Sequence, residues 1–186
     1  MIIEQATPEH AREAAVLIYD AIHEIAHSLT GEEEEQAVLA QLERYFQHEG
    51  NRLSYQNCLV AVEDGKAVGL ILVYHGSNAE ELDAPILAFL EKKFPGRAFK
   101  LDQEADAEDY YIDTVSVNPA YGGRGIGTAL LKAAMEKGRA LGYGSISLNV
   151  DEGNPDARRL YERVGFKEKK KIKIVDHTFA YMVKSL

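Results

Sequence analysis

Apolar positions along this chain recur with two periods, and the switches between them mark its elements. Ile2 to Ala6 is short and apolar and reads as a first strand. Thr7-Pro8-Glu9 is a helix start: a cap, a proline at the first position and an acid in the first turn. Ala14, Ala15, Leu17, Ile18, Ala21, Ile22 and Ile25 then form one helical stripe. The acidic run Glu32 to Glu35 reads as the solvated first turn of a second helix, continued by Val38, Leu39, Leu42, Tyr45 and Phe46. Cys58 to Glu63 and Ala67 to Tyr74 read as strands around Asp64-Gly65-Lys66, and Asp-Gly between apolar runs is a hairpin signal. Ala79 to Phe94 returns to helical spacing until Pro95-Gly96, and an acidic loop, Asp102 to Asp109, follows.

The second half opens with Tyr110 to Val117, rich in β-branched and aromatic residues, which suits a pleated, half-buried surface. Asn118-Pro119 ends that strand, because proline has no N–H to donate to a sheet. Gly122, Gly123, Gly125 and Gly127 follow, and a helix runs from Ile126 to about Leu141, where Gly142 stops it. Ser145 to Val150 is a strand. Asn154-Pro155-Asp156 caps another helix, which Gly165 ends. Phe166 to Val175 and Thr178 to Val183 close the chain as strands around Asp176-His177. The lysines from Lys167 to Lys173 guard an edge strand, or form a basic patch for a phosphate.

A bare glycine turn feeding a helix presents free N–H groups at the positive end of a dipole, which is an anion site. The same glycines also suit a plain tight turn. The spacing excludes a P-loop, which needs Gly-Lys-Ser/Thr where this helix opens Gly-Ile-Gly-Thr. It also excludes the dinucleotide fingerprint, whose last glycine position is Thr128 or Leu130 here.

Val117-Asn118-Pro119 followed by Arg124-Gly125-Ile126-Gly127 resembles the acetyl-CoA-binding motif of the GCN5-related N-acetyltransferases, with Gly122 in place of its leading Gln or Arg. Asn154 to Phe166, NPDARRLYERVGF, is similar to that family's Asn-x-x-Ala-x-x-x-Tyr-x-x-x-Gly-Phe signature. The resemblance implies a mixed, mostly antiparallel sheet flanked by helices (α/β, α+β), in a single domain over 1–186. A helical insertion at about 76–109 stands where relatives have a short turn. This insertion can be a lid over the acceptor pocket, a homodimer contact or plain surface elaboration.

The resemblance further implies an N-acetyltransferase that moves acetyl from acetyl-CoA to a primary amine by direct attack in a ternary complex. The backbone of Gly122, Gly123, Arg124, Gly125, Ile126, Gly127 and Thr128 would hold the pyrophosphate of coenzyme A. Val115 and Val117 would hold the pantetheine arm and acetyl carbonyl where their strand splays from its neighbour. Asn154 would cap its helix and bond the pantetheine amide. Tyr161 would be the general acid, although its place beside Ala157 and Val164 also suits a core aromatic. The expected base is Asp113, which alternation puts on one face with Tyr111, Val115 and Val117. Asp113 also reads as a partner to a lysine or hydroxyl. Some relatives carry a carboxylate where Tyr111 stands and others a glutamate where Asn149 stands; His75 is a weaker candidate base.

Composition narrows the picture modestly. The net charge of −9 and a pI of about 5.2 disfavour nucleic acid and anionic membrane and suit a cationic acceptor. The single cysteine, Cys58, excludes an intrachain disulfide and reads as a small buried hydrophobe; it lies far in sequence from both motifs with no basic partner beside it, so a covalent route lacks support. The histidines lack metal-ligand spacing, and no metal is expected. MIIEQATPEH lacks a signal-peptide pattern and no apolar run could cross a bilayer, so the expected location is cytoplasmic. The rival readings are a non-catalytic acyl-CoA sensor and a partner-recruiting domain.

Overall fold

Burial on both faces of one strand sets the architecture. The computed structural model describes residues 1–186. Its strands are β1 (Ile2–Gln5), β2 (Cys58–Glu63), β3 (Lys66–His75), β4 (Tyr110–Val117), β5 (Ser145–Asp151), β6 (Lys167–Ile174) and β7 (His177–Ser185). They form one sheet in the order β1-β2-β3-β4-β5-β7-β6. Only β4 and β5 pair in parallel; the other neighbours are antiparallel. Its helices are α1 (Ala11–Ile22), α2 (Glu24–Thr30), α3 (Glu35–Gln47), α4 (Ala79–Lys93), α5 (Ile126–Ala140) and α6 (Pro155–Val164).

The run Val68 to Tyr74 on β3 is buried throughout, which is why it reads as a continuous apolar stretch. Leu70 and Leu72 face a core built by α1 to α4, through residues such as Ile18, Leu42, Phe46 and Ile86. Ile71 and Val73 face the opposite core, where α5 and α6 pack Leu130, Leu131 and Tyr161. Each fully buried aliphatic side chain contributes roughly 1.5–3 kcal/mol, so this strand ties both layers together. The lysine-rich β6 is the sheet edge, with Lys167 to Lys171 exposed.

Three local expectations differ from the structure. The first helical stripe is not continuous to Ile25. His23 takes φ 38°, ψ −107°, ending α1 and starting α2 in a new direction, so that Ala26 and Leu29 reach the core. The last hairpin turns at Val175-Asp176, both with positive φ (47° and 65°), and Ile174 pairs with His177. A β-bulge interrupts β4: Leu72 pairs with Thr114, but Val73 pairs with Ile112. Asp113 is the extra residue, and beyond it the alternation is shifted by one. Val115 and Val117 therefore pack on the α5 side with Ile112, not on the side of Tyr111 and Asp113.

The insertion is a built part of the fold. Ile86 and Leu90 of α4 enter the first core. The loop after it crosses the sheet and is pinned at several points. Gly76 N–H donates to the Asp109 carbonyl at 2.8 Å, and Asp106 N–H donates to the Tyr181 hydroxyl at 3.0 Å. Lys169 and Lys170 reach the Asp106 carboxylate at 2.7 and 2.6 Å. A Cβ on Gly76 would meet the Asp106 carbonyl at 2.0 Å, so only glycine permits this approach.

Candidate active site

The parallel pairing of β4 with β5 covers only Tyr110 to Ile112 against Ile146 to Leu148. Beyond it β4 stays with β3 and β5 stays with β7, so the two strands part. A cavity of about 830 Å³ occupies this opening. Its walls include Val115 and Val117 from β4, and Asn154, Ala157 and Tyr161 from the α6 segment. Arg52, Glu104, Tyr111, Asp113 and Asn149 line it as well.

Just past Val117 stands the glycine turn. Gly123 and Gly125 take φ 73° and 79°, conformations that side chains rarely adopt, and Gly125 caps α5 without a side chain. From Gly123 through Thr128 no backbone N–H finds an acceptor within the chain. These donors sit at the positive end of the α5 dipole. Gly122 does not join them, because its N–H donates to the Pro119 carbonyl at 3.0 Å. The Arg124 side chain is also engaged elsewhere: it reaches Glu63 at 2.9 Å and stacks on Tyr121. Only the backbone of Arg124 belongs to this row. A Cβ on Gly127 would sit 3.8 Å from Val117 and Leu160, so the turn, β4 and α6 meet there.

On α6, the Asn154 side chain accepts the Ala157 N–H at 3.1 Å and caps the helix. Tyr161 is 8 % exposed and lies edge-on to Phe166. Its hydroxyl has no partner in the chain and is not sealed from the cavity. Burial pushes its phenol up to about 12, so at neutral pH it remains a proton donor. Cys58 is fully buried, and burial pushes its thiol up, which leaves no thiolate for attack.

Across the cavity lies a buried ionic network. Arg52, 4 % exposed, donates from Nε to Asp113 Oδ2 at 2.8 Å and from Nη2 to Glu104 Oε2 at 2.8 Å. It also meets Asp83 at 3.4 Å. Tyr74 donates to Asp113 Oδ2 at 2.7 Å, and Thr114 donates to Asp113 Oδ1 at 2.9 Å. Asp113 thus has both oxygens engaged and is 4 % exposed at its side chain. Tyr111 donates to Glu104 Oε2 at 2.8 Å. Asn149 Nδ2 donates to the Glu104 carbonyl at 2.9 Å and to the Tyr111 hydroxyl at 3.1 Å. Burial opposes the charge on Arg52, but Asp113 and Glu104 hold it on. Burial raises the carboxyls of Glu104 and Asp83, with Arg52 pulling the other way.

The site thus brings Val115, Val117, Asn154, Tyr161 and Asp113 to one cavity, and the glycine turn adjoins it through Val117. Sequence reasoning missed Arg52, Tyr74, Asp83 and Glu104. No motif surrounds Arg52, and Glu104 sits in an acidic stretch that reads as plain loop. Of the β6 lysines, Lys169, Lys170 and Lys171 are taken up by Asp106, Glu108 and Glu152.

Comparison with known proteins identifies the family and the fold. The pattern described as the acetyltransferase (GNAT) family matches residues 19–166. The chain belongs to that family. Its structure is similar to an N-acetyltransferase from Staphylococcus aureus Mu50, with TM-score 0.84 and 29% identity over 99% of this chain and 100% of that one. It also shares 41% identity over 58 residues with N-alpha-acetyltransferase RimI of Mycobacterium tuberculosis, which is 31% of this chain and 35% of the relative. A protein of Methanocaldococcus jannaschii described as an uncharacterized N-acetyltransferase is 40% identical over 62 residues, 33% of this chain and 27% of the relative. The chain thus matches about a third or less of these curated relatives' own length.

Proposed function

We propose that this protein transfers acetyl from acetyl-CoA to the primary amine of a small molecule or peptide, by direct attack while both are bound. The observation that carries this reading is the unpaired N–H row from Gly123 to Thr128, placed beside a cavity where two strands part. The row suits a pyrophosphate, since phosphates collect where free N–H groups and a helix dipole coincide. A neighbouring groove of about 500 Å³ holds Lys132, Arg139, Arg163 and Lys184, with Glu136 its one acid, and suits a further phosphate of coenzyme A. The main chain of Val115 and Val117 faces the opening and is offered to the pantetheine arm and acetyl carbonyl, as is Asn154 to an amide.

Acetyl-CoA, when bound, supplies an activated thioester carbonyl. Tyr161 gives the proton that the departing sulfur needs, as a positioned acid with no other partner. Binding both reactants in one cavity provides much of the acceleration through positioning. An acyl-enzyme on Cys58 is not part of this reading, given its burial. Asp113 is not retained as the base. With its oxygens engaged by Arg52, Tyr74 and Thr114, it holds the network instead.

Titration calorimetry with coenzyme A tests the cradle, and a thiol-release assay with acetyl-CoA and amines tests transfer. Tight binding with thiol release is expected. Binding without release from any amine would favour a sensor, and no binding would refute the cradle.

A further inference from the structure

Among the acids that line the cavity, Glu104 is distinguished by how it is held. Oε2 is fixed by Arg52 and Tyr111, while Oε1 has no partner in the chain and is not sealed from solvent. Its backbone carbonyl is fixed by Asn149. Two neutral side chains on the parting strands, Tyr111 of β4 and Asn149 of β5, thus grip one acid that neither strand carries. The side chain is 13 % exposed, so its charge is largely desolvated yet reachable. The loop that delivers it is pinned to the sheet through Asp106 and Asp109.

Charge at this spot is unbalanced. The ion pairs of Asp113, Glu104 and Asp83 all run to Arg52. One guanidinium faces three carboxylates, and a buried excess of negative charge is costly unless a cation or a proton joins it. The cavity is also lined by Asp20, Glu24 and Asp151 and by His23 and His177, with no lysine or further arginine. An alkylammonium brings both the missing charge and an N–H donor for Glu104 Oε1.

Resting on the acetyl-transfer reading above, we propose that Glu104 binds the acceptor's ammonium and takes its proton, so that the insertion supplies the acceptor half of the active site. One N–H bond of the ammonium breaks, its electron pair stays on nitrogen, and the proton joins the Glu104 carboxylate; the second proton that nitrogen loses as the amide forms replaces the one Tyr161 gives to sulfur. The acid passes that proton to cavity water once product leaves. A free alkylamine has a pKa of about 10.4, so this step is needed near neutrality. Arg52, Asp113, Asp83, Tyr74 and Tyr111 are the titratable groups around Glu104. Arg52 and Tyr111 are positioning residues in this account.

The test compares wild type with Glu104→Gln, using ethylamine, 1,4-diaminobutane and spermidine as probes and 1,4-butanediol as the uncharged control. Amine binding is read by calorimetry on the CoA-loaded protein, and kcat/KM is read against pH. At least one amine should bind and the diol should not. Glu104→Gln should weaken amine binding at least tenfold and lower kcat/KM by roughly a hundredfold, with coenzyme A affinity within twofold of wild type. The wild-type rate should rise with pH through the raised Glu104 carboxyl, and that limb should vanish in the variant. Glu104→Asp keeps the charge and should restore part of the binding, and it carries the comparison if the amide variant folds poorly. Unchanged amine binding and an unchanged acid limb in the variants would overturn the proposal. So would a wild type that binds coenzyme A but none of the amines. A wild type that fails to bind coenzyme A would instead overturn the transfer reading itself.

Discussion

The two ends of the candidate site are built by opposite means. At one end, Gly123 to Thr128 offers consecutive main-chain N–H groups, and everything that makes the site lies within one turn of chain. At the other end, Arg52, Asp83, Glu104 and Asp113 come from four separate segments and meet only after folding. The first end offers atoms that every residue has, so its requirement is a backbone conformation, with positive φ at Gly123 and Gly125. The second depends on specific side chains whose charges must be satisfied by one another. A backbone site tolerates side-chain changes but not changes of conformation, whereas a buried ionic network responds in the opposite way.

That contrast can be broken experimentally, and the largest effect is expected from the network. Arg52→Met would leave Asp113, Glu104 and Asp83 buried without their common cation, costing about 3–5 kcal/mol of stability. A thermal melt would register it as a marked loss of Tm. An unchanged Tm would mean that the network carries no structural weight. Gly125→Val comes next. A β-branched residue at φ 79° is a strained outlier, and coenzyme A affinity should fall by roughly a hundredfold or more, read by calorimetry, as the first turn of α5 is displaced. Retained affinity would detach the cofactor from the glycine turn.

Tyr161→Phe should lower kcat by roughly a hundredfold and barely change coenzyme A affinity or stability, because the hydroxyl has no partner in the chain to lose. Normal turnover would remove Tyr161 from the reaction. With its phenol pushed up to about 12, Tyr161 adds no alkaline fall to the rate profile in the ordinary assay range. The smallest effect belongs to Arg124→Ala. Its guanidinium is paired with Glu63, so coenzyme A affinity should change by less than about threefold, as for an exposed pair. A tenfold loss there would show that a side chain shares in the cradle.

Much of this division could be read before folding, and the reason is locality. The strand, glycine turn and helix from Tyr110 onward follow from β-branched residues, Pro119 and a glycine run whose effects reach only a few positions. The Asn154 cap and the Gly165 stop act in the same way, with Gly165 at φ 103°. Alternation alone failed on β4, because a single bulged residue at Asp113 turns Val115 and Val117 to the other face. No propensity signals such a bulge; pairing with β3 imposes it. His23 likewise ends a helix that the apolar stripe would have continued.

From its order of residues alone, this chain set a glycine-capped helix, its preceding strand and Tyr161 on a capped helix, because capping, chain stiffness and periodicity are short-range properties. Only the folded arrangement decided where the charges meet. Arg52 and Glu104 are joined through space by burial that makes an unpaired charge costly, and no spacing along the chain encodes that partnership. The parting of β4 from β5, which opens the cavity between the two ends, is likewise a property of the assembled sheet.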